Sequence, residues 1–193
     1  MVVYFFRRII KKINRFYMRF YNILDLEDSY YKAFSYLYKK SFPIFEQRTQ
    51  EQQERAFNHP NYNLQAFFDG NLFVGVVSFW EFAQYIYVEH LAIMDEHRGK
   101  GYGHKMIQNF VRTNLKKIIL EIDPLVDDTS FARLRFYKDC GFFENPYDHK
   151  HPPYRKGFKP HSLLVLSSKN RISESEYEIF KSDLENVVMA LNI

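Results

Sequence analysis

The stretch from Tyr85 to Arg112, YIYVEHLAIMDEHRGKGYGHKMIQNFVR, leaves this chain little freedom. β-Branched, Leu and aromatic residues from Tyr85 to Ile93 predict a strand. A short acidic turn (Met94 to Glu96) and a glycine-rich basic turn (Arg98 to Gly103) follow. An amphipathic helix from about Gly101 to Asn114 then turns Met106, Phe110 and Val111 inward. A strand that empties through glycines into a helix start leaves backbone N–H groups unpaired and open to an anion. The next apolar run, Lys117 to Ile122, completes a strand–helix–strand unit, which calls for a parallel pair.

The flanking residues extend this unit on both sides. RFYNIL after Met18 reads as a short strand, and Asp25 to Asp28 favour a helix start. That helix runs from about residue 28 to 41 with Tyr30, Phe34, Leu37 and Tyr38 on its core face, until Pro43 ends it. Thr49-x-x-Gln52 is a capping box for a second helix, closed by Asn58, Pro60 and Asn61. Two apolar runs, Asn63 to Phe68 and Leu72 to Phe82, flank Asp69-Gly70 and predict a hairpin. Past Ile122, Asp128 to Cys140 reads as a helix with Phe131, Leu134 and Phe136 at core spacings and Gly141 at its left-handed end. Phe142-Phe143, a Pro- and His-rich loop over 145–160, and a strand from Ser162 to Leu166 follow. Ser173-x-x-Glu176 caps a last helix whose Tyr177, Phe180, Leu184, Val187, Val188 and Leu191 form one apolar stripe. That stripe must pack on the domain itself or on a second subunit, so a homodimer stays open.

Charge narrows the function classes. Residues 1–17 hold Arg7, Arg8, Lys11, Lys12 and Arg15 and no acid, and the remaining 22 basic and 23 acidic residues leave the body at −1. A nucleic-acid-binding surface is therefore disfavoured. Residues 1–17 read as a basic amphipathic helix for a membrane surface, as a partly ordered tail, or as an extension upstream of a true start at Met18. No apolar run is long enough for a membrane span, and the single Cys140 excludes an internal disulfide, so the expected compartment is the cytoplasm. The expected organisation is an extension (1–17), a main domain (18–168) and a C-terminal helix (169–193).

The glycine turn is neither GxxxxGK[ST] nor GxGxxG, so P-loop and dinucleotide readings fail. It does offer Arg98-x-x-Gly101-x-Gly103 after a strand, which lets a pyrophosphate approach the first helical turn while Arg98 and Lys100 add positive charge. In this the chain resembles the GNAT family of N-acetyltransferases. Arg98-Gly99-Lys100-Gly101-Tyr102-Gly103 is similar to that family's acetyl-CoA pyrophosphate motif, Glu89-His90-Leu91-Ala92-Ile93 to its central strand, and Phe136-Tyr137-x-x-x-Gly141-Phe142 to its second signature. The order of elements from Met18 to Ser168 also agrees.

The resemblance implies an α/β fold, with a central mixed, mostly antiparallel sheet flanked by helices. It also implies transfer of acetyl from acetyl-CoA, as co-substrate, to a small-molecule amine. Arg98, Gly99, Lys100, Gly101, Tyr102, Gly103 and His104 would form the pyrophosphate cradle, and the Leu91, Ala92 and Ile93 backbone would hold pantetheine and polarise the thioester. Tyr137 would protonate the departing thiolate. Glu89 would act as base or bind the substrate ammonium; strand alternation sends its alternative, His90, to the opposite face. The family's Asn position falls on Ser130, a candidate replacement in holding the cofactor, and its small-residue position falls on Arg133.

Cys140 beside Gly141 has no activating partner in sequence and reads as packing. His149, His151 and His161 lack the Cys or carboxylate spacing of a metal site, so no metal is expected. Their loop, with Tyr147, Pro152, Pro153 and Tyr154, reads as a wall of the acceptor pocket. An acyl-CoA-binding module without catalysis is the alternative reading.

Overall fold

The computed structural model describes residues 18–190. The extension read over residues 1–17 and the last stripe position, Leu191, lie outside them.

Eight strands follow the alternation of the sequence: β1 (Arg19–Asn22), β2 (Tyr62–Asp69), β3 (Leu72–Glu81), β4 (Tyr85–Ile93), β5 (Lys117–Ile122), β6 (Phe142–Glu144), β7 (His149–His151) and β8 (His161–Ser168). The sheet order is β1-β2-β3-β4-β5-β8-β6, with β7 also paired to β8. Every pairing is antiparallel except β4 with β5, the pair spanned by a helix. The Asp69-Gly70 hairpin forms with Gly70 at φ +63°.

Five helices cover the two faces: α1 (Tyr31–Ser41), α2 (Gln50–Phe57), α3 (Tyr102–Thr113), α4 (Asp128–Asp139) and α5 (Glu174–Asp183). Thr49–Gln52 and Ser173–Glu176 both close as capping boxes. Side-chain alternation along the strands divides the core. Phe34, Leu37, Trp80, Tyr87, Phe180, Leu184 and Val188 pack on the α1, α2 and α5 side, whereas Met106, Phe110, Ile118, Leu120, Leu134 and Tyr137 pack on the α3 and α4 side. Tyr177, Phe180, Leu184 and Val188 of the C-terminal stripe are all buried against the domain. At about 2 kcal/mol per fully buried large apolar side chain, this is a substantial part of what holds the helix in place.

Two expectations are corrected here. Phe131 is 44% exposed, because the Asp127 cap fixes α4 with Ser130, Leu134 and Tyr137 on its inner face and turns Phe131 outward. The segment 145–160 is not a continuous loop: His149–His151 adds a strand against the first residues of β8.

β3 and β4 approach closely at Gly75, where a Cβ would lie 2.3 Å from the Ala92 carbonyl oxygen. Because that neighbour is backbone within a strand, Gly75→Ala is expected to cost about 1–3 kcal/mol. A lowered urea midpoint with unchanged m-value is the check.

Candidate active site

β4 and β5 pair only from Tyr85↔Lys117 to Val88↔Leu120, although β4 continues to Ile93. At that point the β3–β4 ladder also slips: Ser78 lies opposite His90 and Phe79 opposite Val88, so Glu89 is the extra residue of a bulge. A cleft of about 630 Å³ opens where the two strands part.

One half of the cleft is built to hold backbone-bonded and anionic groups. Met94 N–H donates to Val74 O at 2.9 Å. In an antiparallel ladder Ala92 therefore also faces β3, while Leu91 and Ile93 turn their peptide groups to the edge that β5 has left. Ahead of α3, Gly99 (φ +71°) and Gly101 (φ +77°) take left-handed conformations. The first helical bond runs from Lys105 N–H to Gly101 O at 3.1 Å, leaving the N–H groups of Tyr102, Gly103 and His104 without intrahelical acceptors. A Cβ on Gly101 would meet nothing within 4 Å, so the space over these donors is open. Such a turn fits a pyrophosphate.

The side chains of the turn have other partners. The Arg98 guanidinium bonds the Ile93 carbonyl (3.2 Å) and pairs with Asp95 (3.0 Å). Tyr102 Oη donates to Asp69 Oδ2 at 3.1 Å. His104 Nδ1 lies 3.3 Å from Cys140 Sγ, a partner that sequence spacing does not reveal. Burial nevertheless pushes the Cys140 thiol up to about 11, which keeps it protonated and unreactive near neutrality.

Tyr137 projects from α4 into the same cleft, its ring packed on Phe136 and Phe142. Burial raises its phenol to about 12, so it carries its proton throughout the physiological range. Ser130 is engaged elsewhere. Its hydroxyl donates to Asp127 O (2.9 Å) and accepts from Asp127 N–H and Val126 N–H (both 3.1 Å), closing the helix cap. The expected contact from Ser130 to a cofactor is therefore not carried forward.

The bulge changes the reading of Glu89 and His90. Its extra residue cancels the alternation, and both side chains lie on the α1 side of the sheet, contrary to the expectation of opposite faces. Glu89 is sealed in: Oε1 pairs with the Arg48 guanidinium at 2.6 Å and Oε2 accepts from Trp80 Nε1–H at 2.9 Å, with both partners of the ion pair 1% exposed. Burial alone would raise its carboxyl, but the Arg48 guanidinium and the Trp80 N–H bond bring it below the usual range. A carboxylate held ionised by an engaged arginine is a poor acceptor of a substrate proton. His90 donates from Nε2 to Glu46 O (3.0 Å) and its Nδ1 meets Ser78 Oγ (3.3 Å). Burial lowers it to about 4, against the pull of Glu89, so it stays neutral.

The other half of the cleft is carboxylate-lined and aromatic. Glu121 on β5 bonds His149 Nε2 and Tyr87 Oη, and burial, which would raise its carboxyl, is outweighed by His151, His149 and Tyr87. Asp123 pairs with Arg133. Tyr154 is buried in the cleft, and its segment is tied to α2 by Gln52 Nε2–H to Tyr154 O (2.9 Å) and to the α1–α2 connection by Arg155 Nε–H to Gln47 O (2.7 Å). Glu46, on a single helical turn after Pro43, also lines the cleft. Burial, reinforced by Asp123 and opposed by Arg133, lifts its carboxyl to about 7. Glu46 was missed in the sequence; its one signal is an acid just past a Pro-terminated helix, in the connection facing the glycine turn.

A mixed sheet split between the parallel strands β4 and β5, with a glycine turn and a buried tyrosine at the split, defines an acyl-CoA-handling fold. The acetyltransferase (GNAT) family profile matches residues 21–142, and the chain belongs to that family, whose acyl donor is acetyl-CoA. Among curated proteins it is similar to "Putative acetyltransferase YjbC" of Bacillus subtilis (strain 168), with 31% identity over 124 residues; the match covers 58% of this chain and 60% of that protein's length. Among solved structures it is similar to "Putative acetyltransferase from GNAT family" of Bacteroides thetaiotaomicron, with 28% identity, a TM-score of 0.84, and coverage of 89% of this chain and 98% of that one. A Bacillus subtilis acetyltransferase in complex with CoA shares the fold at 13% identity and a TM-score of 0.53, covering 79% of this chain and 98% of its own.

Proposed function

We propose that this protein is an acetyl-CoA-dependent N-acetyltransferase that moves acetyl directly onto the primary amine of a small-molecule acceptor. The observation that carries this reading is the convergence, on one cleft, of the open Leu91–Ile93 edge, the unpaired N–H groups after Gly101, and Tyr137. The helix start supplies the pyrophosphate site and β4 peptide groups hold the pantetheine arm. A β4 N–H directed at the thioester carbonyl stabilises the oxyanion that forms when the amine adds. Tyr137 supplies a proton to the departing thiolate and is reprotonated from the nitrogen that has just formed the amide. Glu89 serves by fixing Arg48 beneath the cleft.

The test combines calorimetric titration of acetyl-CoA with release of free CoA across a panel of amines. Tyr137→Phe is expected to lower kcat about 100-fold while acetyl-CoA affinity stays unchanged. Unchanged kcat would remove Tyr137 from the chemistry. Tight acetyl-CoA binding with no turnover on any amine would leave a binding module instead.

A further inference from the structure

We propose that Glu46 receives and deprotonates the acceptor amine, and that the acceptor is a small amine with a single positive charge on an apolar body. This rests on the acetyl-transfer reading above.

The carboxylates of the cleft are not equivalent. Glu89 is paired with Arg48, Asp123 with Arg133, and both oxygens of Glu121 meet His149 and Tyr87. Among the described residues Glu46 has no lysine or arginine partner; its nearest cation-forming group is His161 Nε2, 3.8 Å from Oε1. Its backbone is nonetheless fixed, because Glu46 O accepts from His90 Nε2 (3.0 Å) and from Tyr38 Oη (3.3 Å). One rigidly placed carboxylate without a cation can offset one charge. A polyamine would bring several into a site where the other acids are already engaged.

Two further atoms of the same cleft lack a hydrogen-bond partner. His161 Nε2 and His151 Nε2 are both buried without a hydrogen bond. His151 Nδ1, 2.6 Å from Pro152 O, must donate there, and Nε2, 3.8 Å from Glu121 Oε2 and without a hydrogen bond, can accept from a bound N–H when the ring is neutral. An ammonium or amine N–H supplies such donors. Phe45 against His161 (ring centroids 5.5 Å) and Tyr154 stacked on His151 (5.0 Å) give the surroundings flat apolar walls.

The step balances as follows. The substrate ammonium gives one proton to the Glu46 carboxylate, which becomes a neutral acid. The freed nitrogen lone pair forms the C–N bond as the C–S bond breaks, the second nitrogen proton replaces the one Tyr137 gave to sulfur, and Glu46 returns its proton to water. The poise of Glu46 near neutrality suits a base. The groups facing it are His161 from β8, Glu121 and Asp123 from β5, Arg133 from α4 and His90 from β4.

Phenethylamine, a monocationic aryl amine, is the probe and spermidine the comparator. With the full chain, phenethylamine is expected to bind the CoA-loaded protein in calorimetry and to be acetylated with the higher kcat/KM. Glu46→Gln should lower that kcat/KM about 100-fold and abolish its rise between about pH 6 and pH 8, with acetyl-CoA affinity and Tm unchanged; Glu46→Asp should restore part of the rate. A wild-type pH profile in Glu46→Gln, a preference for spermidine, or no phenethylamine binding to the CoA-loaded protein would each overturn the proposal while leaving acetyl transfer standing. Failure to bind acetyl-CoA would overturn both.

Discussion

Arg48→Met is expected to cost about 3–5 kcal/mol of folding stability, the range for breaking one side of a sealed ion pair. Arg48 and Glu89 are each 1% exposed and 2.6 Å apart. The guanidinium also donates to Val188 O at 3.0 Å and lies over the rings of Trp80 (5.7 Å) and Tyr154 (5.4 Å). Without it, Glu89 would keep only the Trp80 N–H and would remain a charge away from water. Methionine fills most of the apolar volume, so the loss reads the orphaned carboxylate more than a cavity. Arg48→Met/Glu89→Leu should therefore recover most of the stability, because replacing both partners of a buried pair is often neutral or better. Guanidinium unfolding of the wild type, both single variants and the double variant closes the cycle. Equal losses in the Arg48 single and the double variant would place the stability in packing rather than in the pair.

Gly101→Glu is expected to weaken acetyl-CoA binding by at least about 100-fold, close to 3 kcal/mol, while the fold survives. At φ +77° a side chain costs about 1–2 kcal/mol of backbone strain, but the Cβ meets no protein atom within 4 Å. The strain is thus tolerable, and the new carboxylate sits at the N-cap of α3, within reach of its unpaired N–H groups. There a carboxylate would compete for the same donors and repel the diphosphate. Gly101→Asn separates the causes, since asparagine enters the left-handed region more readily and carries no charge; it should retain most of the affinity. Calorimetry on both variants decides. Equal affinity in Gly101→Glu and the wild type would move the pyrophosphate off this turn.

What was legible in the sequence is what neighbouring residues encode. The capping boxes at Thr49 and Ser173, the Asp69-Gly70 hairpin, the parallel β4–β5 pair and the left-handed glycines all follow from contiguous patterns. The arrangement around Glu89 is different in kind. Its bulge is a mismatch between β3 and β4, and its ion pair joins residues 41 apart, so alternation placed His90 on the wrong face. Ser130 is legible locally: a helix starting at Asp128 makes Asp127 its N-cap and Asp127-x-x-Ser130 the capping pair, whereas the family's Asn position points the same residue toward a cofactor. Glu46 was invisible because its significance lies in the partners it lacks, and these depend on how β5, α4 and β8 converge.

The segment containing Tyr154 bears on how this protein could change over evolution. The family match ends at residue 142, and the proposed donor site, from the Leu91–Ile93 edge through the turn at Gly101 to Tyr137, lies before it. Tyr154, His151 and His161 come after it and are strapped down by Gln52, Arg155 and the stacked rings of Tyr147 and Tyr177, 4.0 Å apart. On the proposed reading the donor site falls wholly within residues 21–142, whereas the acceptor site joins Glu46 from that part to Tyr154, His151 and His161 beyond it. On that reading, drift in the last quarter of the sequence would reshape one wall of the acceptor pocket while leaving Glu46 and the donor site in place.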